Sequence, residues 1–128
     1  MFNLENILRS NIKSLKPYSC ARDEYKGKEA TFLDANESPF NNTFNRYPDP
    51  LQWEVKEKIA ALKGVAANQI FLGNGSDEAI DLLFRIFCNP SIDNAITIHP
   101  SYGMYTVSAD INDVIIKKVL LNDDFTLN

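Results

Sequence analysis

Apolar positions recur along this chain at two different periods. Near the start, Leu4, Ile7, Leu8 and Ile12 fall on one side of a helix. Asn3 stands where an N-cap belongs, and Pro17 lies past the end. A second stripe, Leu51, Val55, Ile59 and Leu62, predicts a helix over 51–63, with Gly64 placed as its C-terminal glycine. A third runs through Ile80, Leu83, Phe84 and Phe87 and is closed by Asn89-Pro90-Ser91. Tyr102 to about Ile111 reads as a further helix. Between these lie short β-rich runs: 30–34, 69–72, 95–98 stopped by Pro100, and 114–121 around Lys117-Lys118. Residues 18–28 are polar and mixed, an arm with little regular structure. Residues 36–50 are turn-rich, with Ser38-Pro39, Asn41-Asn42 and Tyr47-Pro48-Asp49-Pro50.

From Gln69 onward the order is strand, helix, strand, helix, strand. That alternation predicts an α/β fold with a parallel sheet of three strands. Such a sheet leaves edges and faces that expect cover, so the chain is expected to be the front part of a larger α/β protein. Its organisation reads as a helix and arm over 1–29, a strand, turn-rich segment and helix over 30–66, and the start of a large α/β domain over 67–128.

Composition narrows the picture. With 45% hydrophobic and 23% charged residues, the chain can bury a core. The formal net charge is −4 with the signs interspersed, and no basic patch offers itself to nucleic acid. Cys20 and Cys88 follow no metal-ligand spacing, and His99 is the only histidine, so no metal centre is expected. Cys88 reads as a small buried apolar residue, both thiols as reduced, and His99 as a loop residue. The N-terminus lacks the pattern of a secretory signal, and no apolar run approaches the ~20 residues of a membrane span, which fits a cytoplasmic protein.

The candidate chemistry begins at Gly73-Asn74-Gly75-Ser76-Asp77-Glu78, where a strand candidate gives way to a helix. Glycines let the backbone come close, and the free N–H groups and dipole of a helix start favour an anion such as phosphate. An ordinary tight turn with Ser76 as helix cap is the plainer alternative. A nucleotide-binding fingerprint is interrupted, because Glu78 stands where its third glycine would fall.

Five segments then occur in order: Lys16-Pro17-Tyr18, Leu33 to Pro39 (LDANESP), Asn45 to Pro50 (NRYPDP), Gly73 to Glu78 (GNGSDE) and Pro100 to Tyr105 (PSYGMY). Together they resemble the beginning of the histidinol-phosphate aminotransferases, and the resemblance covers nearly the whole chain. It implies a pyridoxal-phosphate (PLP)-dependent transferase-like fold of type I, here the N-terminal arm and the first part of the large parallel-sheet domain. It implies that the cofactor phosphate sits at Gly75, Ser76 and Asp77 and that Tyr102 stacks on the cofactor ring. It further implies that Tyr47 reaches the cofactor phosphate of a partner subunit, hence a homodimer. Tyr18 and Asn36 are implied to lie near the substrate. Taken alone, the residues favour Tyr102 as a core tyrosine, and leave Tyr47 readable as a turn residue between Arg46 and Pro48 and Asn36 as a former of an Asx turn. Arg22 and Arg46 are available to an anionic substrate or to solvent. Asp34 and Glu37 read as solvated or hydrogen-bonding carboxylates rather than acid–base groups.

Transamination with PLP needs a lysine in a Schiff base and a carboxylate on the pyridinium nitrogen. In the family the resemblance names, the lysine follows a serine-rich strand end. Lys13, Lys16, Lys26, Lys28, Lys56, Lys58, Lys63, Lys117 and Lys118 stand in no such motif, so no catalytic residue is expected in this chain. By itself it is expected to be inactive and to bind PLP weakly, through the phosphate. The implied activity of the whole enzyme converts histidinol phosphate and 2-oxoglutarate to imidazole acetol phosphate and glutamate, in histidine biosynthesis. Rival readings are a related PLP enzyme (another aminotransferase or a threonine-phosphate decarboxylase) and a non-enzymatic phosphate-binding or dimerisation module.

Overall fold

The structure, a computed structural model, describes residues 2–25, 27, 30–40 and 42–127. Lys26, Lys28 and Asn41 lie outside the described residues. The chain divides into two compact units, Lys16–Leu72 on one side and Met1–Leu15 with Gly73–Asn128 on the other.

In the second of these, helix and strand follow the apolar periods closely. Two short helices, α1 (Ser10–Lys13) and α2 (Ala21–Glu24), come first in the chain, and α2 belongs to the other unit. The amphipathic run through Ile80 and Phe84 forms α4 (Gly75–Phe87), which follows α3 (Trp53–Lys63) of the other unit in the chain. Then come β1 (Asn94–His99), α5 (Met104–Ile111) and β2 (Ile115–Leu120). β1 and β2 pair in parallel, from Asn94 opposite Ile115 to His99 opposite Leu120. A parallel pair needs a crossover, and α5 supplies it. Phe84, Ala109 and Val114 form the core, with Ile80, Cys88, Ala95 and Ile116 packed against it. Burial pushes the Cys88 thiol pKa up, as a small apolar role requires. No disulfide joins the cysteines. Asp81 binds α4 to α5 by accepting from Asn112 Nδ2 at 2.7 Å while pairing with Arg85 at 2.7 Å.

Three expectations need correction here. The opening helix is broken into a 3-10 turn, Leu4–Asn6, and α1. Asn3 does cap it, its Oδ1 accepting from Glu5 N–H at 3.0 Å. The break falls at Arg9, whose backbone is extended. Arg9 N–H donates to Ile86 O at 3.1 Å and its guanidinium to Arg85 O at 2.7 Å. These are last-turn carbonyls of α4, which lack intrahelical donors. A long-range need thus overrides the local period. His99 is no loop residue, but the last residue of β1. Among the described residues the sheet has two strands rather than three, since 69–72 forms none. Gln69 instead closes a 3-10 turn, Ala67–Gln69, its Oε1 accepting from Ala66 N–H at 3.0 Å. Extended residues become a strand only when a neighbour takes their backbone bonds, and among the described residues none pairs with 70–72.

The unit Lys16–Leu72 is built around α3 (Trp53–Lys63). The helix starts two residues later than its apolar stripe predicts. Asp49 sets the start by accepting from Leu51 N–H at 2.9 Å and Trp53 N–H at 2.7 Å. Gly64 ends it with φ of +67°, the left-handed cap that glycine permits. The stripe itself is not a buried face. Ala60 is buried, whereas Leu62 is 84% exposed. The polar arm is more ordered than expected, with α2 inside it. Residues 30–34 form no strand; Phe32 instead lies edge-on to Tyr25, with the Arg22 guanidinium 4.8 Å from its ring centre. Its contacts are side-chain contacts, which a β-propensity scale does not count. No helix among the described residues is long and apolar enough to cross a membrane.

Candidate functional site

The glycine turn opens α4. Gly75 is the first helical residue and has φ of +75°, and a Cβ placed on it would meet nothing within 4 Å. A positive φ at an open position is what allows a backbone to approach a ligand closely. Asn74 is the N-cap and makes no side-chain capping bond, so Ser76 is the second residue of the helix and not its cap. The Glu78 carboxylate folds back to accept from Asn74 N–H at 2.5 Å. Gly75 N–H donates to Gly73 O at 3.0 Å, and the N–H groups that follow it in a first turn have no intrahelical partner.

Tyr102 comes to this turn from the segment between β1 and α5. Its hydroxyl donates to Asp77, 3.1 Å from Oδ1 and 3.4 Å from Oδ2. That bond holds the proton on the phenol and raises the Tyr102 pKa above its ordinary value. The ring is edge-on to Tyr105 at 6.1 Å and 54% exposed, so it is no core tyrosine. Beside it a cavity of about 300 Å³ is lined by His99, Ser101, Tyr102, Tyr105 and Lys118 among others. Of the residues singled out from sequence, Gly75, Ser76, Asp77 and Tyr102 therefore converge on one helix end. An open glycine turn, free N–H groups and an exposed aromatic ring held at the rim fit a phosphorylated aromatic cofactor in kind.

Tyr18 and Tyr47 meet elsewhere, in the unit Lys16–Leu72. Both line a cavity of about 480 Å³ together with Cys20, Arg22, Asp34 and Leu51. Tyr18 is 91% exposed. Asn36 is exposed and does not line this cavity. The arginines are neither simply solvated nor unclaimed. Arg22 pairs with Asp34 at 3.2 Å and Glu37 at 3.1 Å, and Arg46 pairs with Glu37 at 2.5 Å. Glu37 also accepts from Tyr47 N–H at 2.8 Å. That amide first, then Arg46 and Arg22, hold the Glu37 pKa down to about 2. The same carboxylates raise the pKa of Arg22. The hydrogen-bonding role read for Asp34 and Glu37 is what the structure shows. Sequence spacing does not predict the convergence of three donors on Glu37. Its only trace in sequence is two arginines flanking an acidic pair.

The lysines are engaged at the surface. Lys58 pairs with Glu54 at 2.9 Å, Lys56 lies 5.7 Å from the Trp53 ring centre, and Lys13 donates to Glu5 O at 3.1 Å. Lys63, Lys117 and Lys118 are exposed.

Residues 24–128 match the model of the family described as aminotransferase class I and II. The chain belongs to that family. It is similar over its whole length to the histidinol-phosphate aminotransferase of Parabacteroides distasonis, at 56% identity, covering 37% of that relative. It is 59% identical over 126 residues to that of Bacteroides thetaiotaomicron and 60% identical over 126 residues to that of Bacteroides fragilis. In both cases 98% of this chain and 36% of the relative are covered. The chain thus spans little more than a third of the length of the curated relatives it matches. Class I and II aminotransferases exchange amino groups.

Proposed function

We propose that this chain forms the N-terminal part of a histidinol-phosphate aminotransferase of PLP fold type I, cytoplasmic and acting as a homodimer. The whole enzyme would exchange the amino group of histidinol phosphate with 2-oxoglutarate, giving imidazole acetol phosphate and glutamate. The observation that carries this reading is identity of 56–60% across nearly all 128 residues to relatives bearing that name. The open turn at Gly75 supports it. Residues 67–128 then open the large cofactor domain.

PLP, when bound, supplies the electron sink that amino-group exchange requires. The residues of this chain do the holding. Gly75 gives the phosphate room, and the backbone N–H groups of Ser76 and Asp77 donate to it with the α4 dipole behind them. Asp77 fixes the Tyr102 hydroxyl, and with it the ring that covers one face of the cofactor. Tyr47 donates its phenol to the phosphate of the partner's cofactor, while Tyr18 and Asn36 border the substrate. The lysine that bonds the cofactor, and the carboxylate on its ring nitrogen, come from the part of the relatives that this chain does not span.

The test is borohydride reduction of the full-length protein, followed by its intact mass and a glutamate-release assay with histidinol phosphate. One added cofactor mass with turnover of histidinol phosphate is expected. A reduced chain without added mass would overturn the cofactor assignment. Turnover of a different phosphorylated amino compound instead would overturn the substrate.

A further inference from the structure

Glu37 holds both of its carboxylate oxygens in bonds to side chain and backbone. Three donors from two stretches of chain converge on its carboxylate: the Arg22 guanidinium from α2, and the Arg46 guanidinium and Tyr47 amide that follow one another. The Glu37 side chain is only 7% exposed, so these donors replace the water an ionised carboxylate would otherwise hold. Arg22 is gripped again by Asp34 and by the ring of Phe32. A guanidinium with two carboxylate partners and an aromatic face has little freedom left.

The placement of these groups differs. Arg22, Asp34 and Tyr47 line the cavity of about 480 Å³, and Glu37 stands behind its wall. Tyr47 is followed by Pro48 and Pro50, with Asp49 tied into the start of α3. Its backbone is therefore held by Glu37 on one side and by the α3 cap on the other. A phenol can be aimed only as well as the backbone that carries it.

We infer that Glu37 is a positioning residue, which fixes the Tyr47 backbone and the Arg22 guanidinium from behind the cavity wall and so aims the Tyr47 phenol. The inference rests on the reading above, in which that phenol meets a cofactor phosphate. Glu37 touches neither cofactor nor substrate. Its effect runs through Tyr47.

The experiment uses the full-length protein in four forms: wild type, Tyr47→Phe, Glu37→Gln and the double variant. Each is loaded with PLP and moved into cofactor-free buffer. Release is followed by the visible absorbance of the bound cofactor, and the urea midpoint is measured in parallel. Tyr47→Phe and Glu37→Gln should each speed release by about tenfold, the loss of one charge-assisted contact. The double variant should stay within about threefold of Tyr47→Phe, because both changes remove the same contact. Multiplying effects, near a hundredfold, would overturn the inference, as would a Glu37→Gln variant that releases cofactor at the wild-type rate. So would a Tyr47→Phe variant indistinguishable from wild type. A wild-type protein that retains no PLP would instead overturn the underlying reading, and the inference with it. Glu37→Asp keeps the charge but loses one methylene of reach. It gives the same comparison should Glu37→Gln fail to fold.

Discussion

Gly75 and Gly103 make a matched pair for testing the geometry of the helix end. Both open a helix, and at both a Cβ would meet nothing within 4 Å. Sterically an alanine fits either. The backbones differ. Gly75 has φ of +75°, and Gly103 sits at φ −62°, ψ −27°, in the right-handed helical region. Alanine at Gly75 must bear the left-handed penalty of about 1–2 kcal/mol. At Gly103 alanine takes up the conformation without strain. It also removes freedom from the unfolded chain, a gain of about 0.4–1 kcal/mol. Gly75→Ala carries the same unfolded-chain gain, which cancels between the two, so the variants should differ by about 1–2 kcal/mol, with Gly75→Ala the less stable. Urea unfolding of the full-length apoprotein reads this directly, as a lower midpoint for Gly75→Ala than for Gly103→Ala at an unchanged slope. If Gly75→Ala proved as stable as Gly103→Ala, the positive φ at the head of α4 would be wrong, and the open cradle with it.

Three further outcomes are expected. The Glu37 pKa is lowered in the fold to about 2 from an ordinary value near 4.5. Its contribution is therefore fully present above pH ~4.5 and lost as pH falls through about 2. Urea midpoints of wild type should drop more steeply than those of Glu37→Gln between pH 5 and pH 2.5, and parallel curves would refute this. Phe84, 8% exposed at the centre of a small core, should cost about 3 kcal/mol or more when changed to alanine. A urea loss under about 1 kcal/mol would mean that the core lies elsewhere. Asp77→Asn should lower the Tyr102 pKa from its raised value. Ultraviolet titration of the phenols, against Tyr102→Phe as the blank, would show it.

The parts legible in sequence are those whose period answers to nearby neighbours. α4, α5 and the β1–β2 pair follow their apolar spacing to within about two residues, and Gly64 ends α3 as its position predicts. Elsewhere the deciding partner is distant. The run 69–72 has strand composition, but composition cannot provide a neighbouring strand. Leu4, Ile7, Leu8 and Ile12 share a helical face, yet Arg9 between them answers to the end of α4. Local pattern counts Arg9 as merely polar. At the site, the glycines and Tyr102 stood out by type and position. The bond that joins Tyr102 to Asp77 spans 25 residues, and the longest bond of the Glu37 cluster spans 15, distances at which spacing carries no geometric meaning. Each cluster joins a helical residue, Asp77 of α4 or Arg22 of α2, to loop residues, where no period exists to be read.

Arg9 closes a contact 76 residues long, and that has a consequence for the order of events as the chain is made. Joining ends so far apart costs roughly 4 kcal/mol of chain entropy, more than two hydrogen bonds return. The clasp must therefore follow the docking of the first segment on α4 rather than cause it. A ribosome releases Arg9 long before Phe87, so the plug is already waiting when its helix end emerges. Anything that trims or tethers the first nine residues, an affinity tag or a processing cut included, leaves the last turn of α4 open and loosens the helix from the end opposite Gly75.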